Sequence, residues 1–597
     1  MFSLRETLTI LLLVLVSASV LFAQTATGEV SGTVTDPNGA AVPGAVVRLT
    51  NQATKIESVA KTNESGFFVF VNVRPATYML SVEVPGFKGG QTQFDVGVSE
   101  TVTQNIALTV GQVSEAVEII SGTEMVQRSS SDLGTVISEK TVQDLPLNGR
   151  NFTQLLTLTP GATPVSTSQN RNVGGVEGNV GIPGSGFADP SFHGQENRSK
   201  LYFFDGIINT NVRGPTYIVI PNIDLIQEFK VVGHDAKAEF GGAMGGVMNM
   251  VSKSGGNSFH GSAFEYLRND AFDARNSFDV CTTARCAPGQ GVPKKPLPFR
   301  QNQFGAIVTG PVIKNRTFFS FGYDGWRYSQ PTLGLSYVPT AAEINGDFSN
   351  YKVRSNQIFN PYSTRQVGTA LVRDPFRCDS GGNPLPVNAQ NRQDQSVGSV
   401  CNKLPAALIF KPMQQFFQQY SAIPNLSAGG NATQNFAQGR PTTNNSNGFQ
   451  IRVDHTFSDR DSVFFRFTQQ NVSVDNPIGT EGSTGGSGKG RNYGGAWTHS
   501  FSPSLIVDVR AGYAGRPGVD SGQQNQHAAG IEPLKQFGFR DIDKYGGLLV
   551  RLDTNEWTAG SNNDFGVRGA ALRENPNWSV TPNLTWLRGN HNLKFGG

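Results

Sequence analysis

Phe449-Gln450-Ile451-Arg452-Val453-Asp454-His455-Thr456-Phe457 alternates apolar and polar residues, with His455 the one polar residue in the apolar set. Ser458-Asp459-Arg460-Asp461 follows as a turn, and the alternation resumes with Val463, Phe465 and Phe467 against Phe464, Arg466 and Thr468. Period two sends the two sets to opposite faces of a strand. Outward from this hairpin, further strands are predicted at about 258–267, 301–310, 317–328, 448–457, 462–471, 494–501, 505–514, 577–586 and 592–597. Pro311 to Arg316, Ser458 to Asp461, Ser502 to Ser504 and Leu587 to His591 are tight connections, whereas about 269–299, 330–446, 472–492 and 516–575 are long ones. An antiparallel wall with one apolar face, short turns at one end and long loops at the other has the pattern of a transmembrane β-barrel, whose short turns face the periplasm.

The N-terminus agrees with that compartment. Arg5, an apolar run from Leu8 to Phe22 and then Ala23-Gln24 read as a secretory signal peptide over residues 1–23. The run is shorter than the ~20 apolar residues a membrane-spanning helix needs. No later stretch is long and apolar enough to cross as a helix, so any crossing is by strands in a closed barrel. Lys and Arg total 49 against 46 acidic residues, a balance that argues against a nucleic-acid partner. The 69 glycines and 40 phenylalanines suit tight turns and an aromatic-rich lipid-facing wall.

The cysteines are Cys281, Cys286, Cys378 and Cys401. An even number in a secreted chain permits disulfides, and among three possible connectivities the local pairs 281–286 and 378–401, each within a long loop, are preferred. The spacing, with no nearby histidine, fits zinc frameworks poorly.

Residues 24–112 read as a β-sandwich. Glu29 to Thr35, Ala45 to Leu49, Phe67 to Val71, the face shared by Tyr78, Leu80, Val82 and Val84, and Gln104 to Val110 are short strands separated by turns such as Asp36-Pro37-Asn38-Gly39. Gly32 to Gly39, Val42 to Val47, Gly66-Phe67-Phe68, Tyr78 and Gly86-Phe87 together resemble the carboxypeptidase-regulatory-like domain. The resemblance implies a transthyretin-like or carbohydrate-binding-like sandwich without peptidase activity.

Residues 113–255 differ. Leu133 to Val142 and Asn151 to Leu158 look like short helical or mixed segments, and a glycine-rich stretch runs from Gly174 to Gly186. A strand ending in Asp205-Gly206, the run Ile223-Asp-Leu-Ile-Gln-Glu228, and Gly241-Gly242-Ala-Met-Gly245-Gly246-Val-Met-Asn249 leading to Ser252-Lys253 follow in order. These motifs resemble the plug of TonB-dependent outer-membrane receptors, and with the front domain and Asp144 to Phe152 they resemble the Oar-like subgroup. Gly233-His234-Asp235 departs from the Arg-Gly-Pro-like turn of many plugs.

The expected architecture is mainly β: a sandwich, an α+β plug and, over residues 256–597, part of an antiparallel transmembrane barrel. The family implies about twenty-two strands in a closed wall. The chain stops at Lys594-Phe-Gly-Gly597 after nine candidates, so it reads as the N-terminal part of a longer protein.

The resemblance implies TonB-dependent transport of a bulky ligand, such as a siderophore, oligosaccharide or peptide, in the outer membrane of a Gram-negative-type bacterium. A TonB-like periplasmic protein and outer-membrane lipid are its implied partners, and no cofactor is implied. Glu115, Ala116, Val117, Glu118 and Ile119 open a segment to Ile120 that resembles a TonB box, which pairs by strand addition; it reads equally as the exit strand of the sandwich. Asp205, Gly206, Gly241, Gly242, Gly245, Gly246 and Asn249 are the candidate plug motif; turn and close-packing roles are favoured over ligand contact for its glycines. An adhesion or carbohydrate-binding protein anchored by the barrel is the alternative. A hydrolase lacks a site: His193-Gly-Gln-Glu196 has no third zinc ligand. Gly482 to Gly490 fails as a phosphate loop, with Gly490 where Ser or Thr is required, and is expected to be a flexible external loop.

Overall fold

A computed structural model describes residues 27–111, 116–118 and 133–145 and, with short gaps, 147–163, 190–274, 298–520 and 571–597. The signal peptide, Glu115, Ile119, Cys281, Cys286 and the stretch from Gly174 to Gly186 lie outside the described residues.

The front unit has strands β1 (Gly28–Thr35), β2 (Val46–Asn51), β3 (Glu57–Lys61), β4 (Phe67–Val73), β5 (Ala76–Glu83), β6 (Gly89–Val96), β7 (Thr101–Thr103), β8 (Ile106–Ala107) and β9 (Ala116–Glu118). One sheet runs β4-β1-β7 with β8 also on β1, and the other runs β3-β2-β5-β6-β9. Val30, Val34, Val47, Leu49, Phe68 and Leu80 come from alternate positions of both sheets and form the core between them. Strands β3, β6 and the three-residue β7 escape the sequence reading. Glu57-Ser-Val-Ala-Lys61 buries only Ala60 among its five residues, and Gly89-Gly-Gln-Thr-Gln-Phe-Asp-Val96 opens on two glycines and has polar Thr92 on its buried face, so just Phe94 and Val96 mark an apolar period.

The plug contains β10 (Leu133–Ser138), a short helix Glu139–Asp144 capped by Ser138, β11 (Ala162–Thr163), β12 (Ser191–Phe192), β13 (Leu201–Phe204), β14 (Ile207–Ile208), β15 (Ile226–His234) and β16 (Val247–Ser252). Its main sheet has the order β10-β15-β16-β13-β14, with β13 parallel to β16. Every residue of β16 is buried, as befits a central strand covered on both faces.

The wall is one antiparallel path of β17 (His260–Asn269), β18 (Arg300–Ile313), β19 (Thr317–Ser336), β24 (Phe436–Ser458), β25 (Asp461–Asp475), β28 (Gly486–Ser502), β29 (Leu505–Gly515), β32 (Asn577–Arg588) and β33 (His591–Gly596). Strands β20 (Arg365–Val367), β21 (Ala370–Val372), β22 (Arg377–Cys378) and β23 (Ser399–Val400) lie in the long loop after β19; β26 (Pro477–Ile478) and β27 (Gly482–Ser483) pair in the loop after β25. Strands β30 (Gly518–Asp520) and β31 (Ala571–Arg573) lengthen the β28 edge.

All nine expected wall strands are present, and several run further toward the long-loop end than periodicity indicates. Strand β24 begins at Phe436 rather than near 448, where Gln438-Gly-Arg-Pro-Thr-Thr-Asn-Asn-Ser446 has no apolar face to signal it. Likewise Gly486 to Gly490 belongs to β28 and not to a flexible loop, because backbone pairing to Val474 and its neighbours outweighs glycine's poor strand propensity. These extensions have left the apolar layer, so their side chains carry no lipid-facing period.

The wall's polarity is inverted relative to a soluble sandwich. Phe457 and Phe465 are 62% and 50% exposed, whereas Gln450 and Arg466 are 1% and 0% exposed. Outward-facing Phe449, Phe467, Tyr493, Tyr513 and Trp578 form a ladder across five strands with centroid separations of 5.7, 5.9, 4.9 and 4.7 Å. Phe457 and Phe501 mark a second aromatic level beside the short turns. Phe449 and Phe457 are separated by ~27 Å of strand at ~3.4 Å per residue. With the usual tilt that is ~20 Å of height, close to the ~25 Å apolar band of such walls.

Candidate functional site

The inward face of the wall meets the plug through an ionic seam centred on Asp205. Strand β13 ends at Phe204, and Asp205 at φ +53° with Gly206 at φ +75° turns the chain into β14. The Asp205 carboxylate accepts the Ser252 amide and hydroxyl at 2.9 and 2.7 Å, which fixes it to β16 within the plug. It also accepts Arg452 Nη1 at 2.9 Å and Arg466 Nε at 2.7 Å, both from the wall. All three side chains are buried.

Each arginine is held on several sides. Arg466 donates to the Phe204 carbonyl at 3.0 Å, to Asn492 Oδ1 at 2.7 Å and to Thr468 Oγ1 at 2.8 Å, and its guanidinium lies 3.7 Å over the Phe204 ring. Arg452 makes a two-point contact with Asp454 through Nε and Nη2, both at 2.9 Å. Arg510 donates to the Asp205 carbonyl at 3.0 Å and is held by Asp508 at 2.8 Å. A Cβ on Gly206 would lie 2.1 Å from Arg510 Nη1, so this glycine serves both a positive φ and a close approach by the wall. Planar guanidinium groups suit this role because their donors fit carboxylate and carbonyl oxygens at the same time.

Beside the ionic contacts the seam is tightly apolar. A Cβ on Gly512 would meet Ile207 Cγ2 at 2.4 Å, and one on Gly494 would meet Ile207 Cδ1 at 2.7 Å. Two wall glycines thus make the recess that takes one plug side chain.

The candidate plug motif separates into two groups. Asp205 and Gly206 lie at the seam. Gly241, Gly242, Gly245 and Gly246 shape the entry to β16: Gly242 and Gly246 have φ of +78° and +110°, and the Gly245 amide bonds the Ser199 carbonyl at 3.0 Å. Asn249, in the middle of β16, faces the sandwich and donates to Ser99 Oγ at 3.4 Å. Ala116, Val117 and Glu118 form β9, paired in parallel with Gly89, Gly90 and Gln91 of β6 at the edge of the sandwich sheet. That placement gives the segment one paired side and one sheet-edge side. Cys378 and Cys401 form a disulfide with Cα atoms 5.8 Å apart, beside the small ladder of β22 and β23. His193 lies in a turn at φ +50° with its amide on the Gly161 carbonyl, and among the described residues no cluster of three metal-ligating side chains occurs.

Sequence reading missed Arg452, Arg466 and Arg510 as partners of Asp205. Alternation does put all three on the inward, polar face. What period two cannot supply is the identity of a partner more than two hundred positions away.

Comparison with known proteins bears on the same parts. Residues 251–597 match the family described as outer membrane beta barrel domain, and residues 29–109 match the carboxypeptidase regulatory-like domain. A curated relative, the TonB-dependent transporter Oar of Myxococcus xanthus, is 25% identical over 336 residues, which are 54% of this chain and 28% of that protein. The chain therefore matches well under half of that relative's length. Among solved structures, the outer membrane transporter YddB from Escherichia coli aligns with a TM-score of 0.40 and 10% identity over 76% of this chain and 45% of its own. A ferric enterobactin receptor mutant, PfeA from Pseudomonas aeruginosa, gives a TM-score of 0.38 and 11% identity over 78% and 48%. With its apolar outer face, aromatic girdles and matched wall, the chain belongs to the outer membrane β-barrel domain family and carries a carboxypeptidase regulatory-like domain ahead of the wall.

Proposed function

We propose that this chain supplies the gate of a TonB-dependent outer-membrane transporter, in which a plug inside the barrel is shifted by force from the periplasm. The observation that carries the reading is the clasp of plug Asp205 by wall Arg452 and Arg466. Hydrogen bonds and ion pairs exchange for water one at a time. A seam made of them opens under applied work and re-forms when the work stops. The curated relative, named a TonB-dependent transporter, supports the same assignment. The cargo is a bulky external ligand of the siderophore, oligosaccharide or peptide class, met by the long loops and the plug's outer side.

Sandwich position weighs against the adhesion reading. Asn257 donates through its amide and side chain to the Ala53 and Thr54 carbonyls at 3.0 and 2.8 Å, and Asn592 donates to Glu29 at 2.6 Å. Asn257 also bonds Asn315 in the tight turn before β19. These contacts are at the short-turn end, the periplasmic side in such walls, where a sandwich does not meet external polymers.

Segment 115–119 is the proposed point of traction, since β9 is already extended and lies at a sheet edge. Strand addition uses backbone groups, so Val117→Ala in the full-length protein should still capture the TonB-like partner in membranes. Val117→Pro removes a donor in mid-strand and should abolish capture. Normal capture by the proline variant would show that β9 is only the exit of the sandwich.

A further inference from the structure

The sandwich touches both sides of the seam. Its wall-side contacts come from three separate places: Arg74, in the β4–β5 turn, pairs with Asp454; Ala53 and Thr54 accept from Asn257; Glu29 accepts from Asn592. Asp454 is also the partner of Arg452, so one wall carboxylate is shared between the sandwich and the arginine that clasps the plug.

On the plug side, the contacts come from the single turn Gly97-Val98-Ser99-Glu100. Ser99 has φ +50°, and the Glu100 carboxylate accepts the Gly97 amide at 2.9 Å, so the turn is held from within. Val98 packs against Val251 and donates its amide to Glu228 on β15. Lys230 Nζ donates to the Ser99 carbonyl at 2.9 Å, and Asn249 reaches the Ser99 hydroxyl. Val98, Ser99, Lys230 and Asn249 are all buried there, so these contacts are a formed interface.

We propose that the sandwich is a clamp across the plug–wall seam, with the Gly97–Glu100 turn as its plug-side jaw and that jaw the one released by traction on β9. The order of release rests on the transport reading above and on connectivity. Strand β9 is paired to β6, and β6 runs straight from that pairing into Gly97. Force entering at Ala116–Glu118 reaches the plug-side jaw along one strand. The wall-side jaw is spread over β1 and two other turns and lies off that line. The two jaws also reinforce each other: while one is closed, the other rebinds at a high effective concentration.

Two measurements on the full-length protein test this. Arg74→Ala combined with Asn257→Ala and Asn592→Ala weakens the wall-side jaw at all three of its places and leaves the plug-side turn and the sandwich core untouched. Backbone hydrogen exchange at 97–100 and along β15 should then accelerate roughly fivefold as the remaining jaw loses its tether. Unchanged exchange overturns the clamp. Second, Ser99→Cys with Asn249→Cys should oxidise to a disulfide in resting cells, with a yield that falls when the inner membrane is energised and recovers with a protonophore. A photo-crosslinking residue at Val117 reports in parallel whether a partner engages β9. Constant disulfide yield with partner capture overturns release of the plug-side jaw and leaves the transport reading standing. If no partner is captured, the transport reading and the order of release both fall, and the exchange result alone decides the clamp.

Discussion

Arg466 and Asp205 are 261 positions apart in the chain, yet Arg466 Nε donates to Asp205 Oδ2 at 2.7 Å with both side chains buried. No local preference places them there; the pairing exists only once plug and wall are assembled. Asp205→Ala leaves Arg452 and Arg466 buried without their shared acceptor. Breaking a buried pair in this way typically costs about 3–5 kcal/mol. The expected result is a plug that becomes protease-sensitive and exchanges faster along β13 and β16, while the full-length wall keeps its heat-modifiable migration. A plug as protected as in the native protein would show that the seam is held elsewhere.

The recess for Ile207 is tested by a double-mutant cycle. Gly512→Ala places a Cβ 2.4 Å from Ile207 Cγ2, so the plug must shift or strain. Overpacking of this kind costs typically about 1–3 kcal/mol. Adding Ile207→Ala should recover part of that loss, with coupling that additive behaviour of separate sites does not give. Thermal melting of the four proteins checks it; additive effects would remove Ile207 as the fitted contact.

The clamp should depend on pH through Glu228. Burial is the main cause raising its pKa to about 8; the Val98 amide opposes, Glu100 and Asp95 raise it further, and Lys230 lowers it. The folded group therefore holds its proton up to about pH 8, whereas the free side chain releases it near 4.5. Between those values the docked state binds more protons than the undocked one. Docking then weakens as pH rises, by at most ~1.4 kcal/mol per unit, and levels off above 8. Exchange at Val98, corrected for its intrinsic pH dependence, should rise across that window, and Glu228→Gln should flatten the profile. A flat native profile would sink the prediction.

Cys378–Cys401 organises the loop between β19 and β24. Closing a loop of this length contributes very roughly 3 kcal/mol in the chain-entropy view. Replacing both cysteines by serine should make residues 357–405 protease-sensitive while leaving the wall intact, as read by peptide mapping. The same mapping without reductant locates the remaining pair, expected as 281–286. Free thiols at all four positions in protein from native membranes would reject the scheme.

The wall was legible because lipid imposes a period that soluble strands share with less contrast. Ile451, Phe457 and Phe465 had to face outward, and they do. The strand ends beyond the membrane were not legible, since Gln438 to Ser446 and Gly486 to Gly490 are set by backbone pairing alone. In the sandwich, β6 was missed for a related reason: its edge receives β9, a pairing no local pattern announces. The turn at Asp205-Gly206 was readable from its residues. Its three arginine partners were not, because the wall offers inward polar positions on every strand and only the assembled plug selects among them.

Shared ownership of Asp454 gives the periplasmic sandwich a voice in how firmly Arg452 is held. While Arg74 is present, the carboxylate is shared between two cations and the Ser254 hydroxyl; once Arg74 leaves, Arg452 no longer competes with a second cation for it. Competition of this kind acts in the same direction as loss of the tether: removing the sandwich frees the plug mechanically and, at the same moment, draws Arg452 back toward the wall and away from Asp205. Both effects favour an open door. A single residue between two suitors thus couples any opening of the wall-side jaw to a looser hold on the plug.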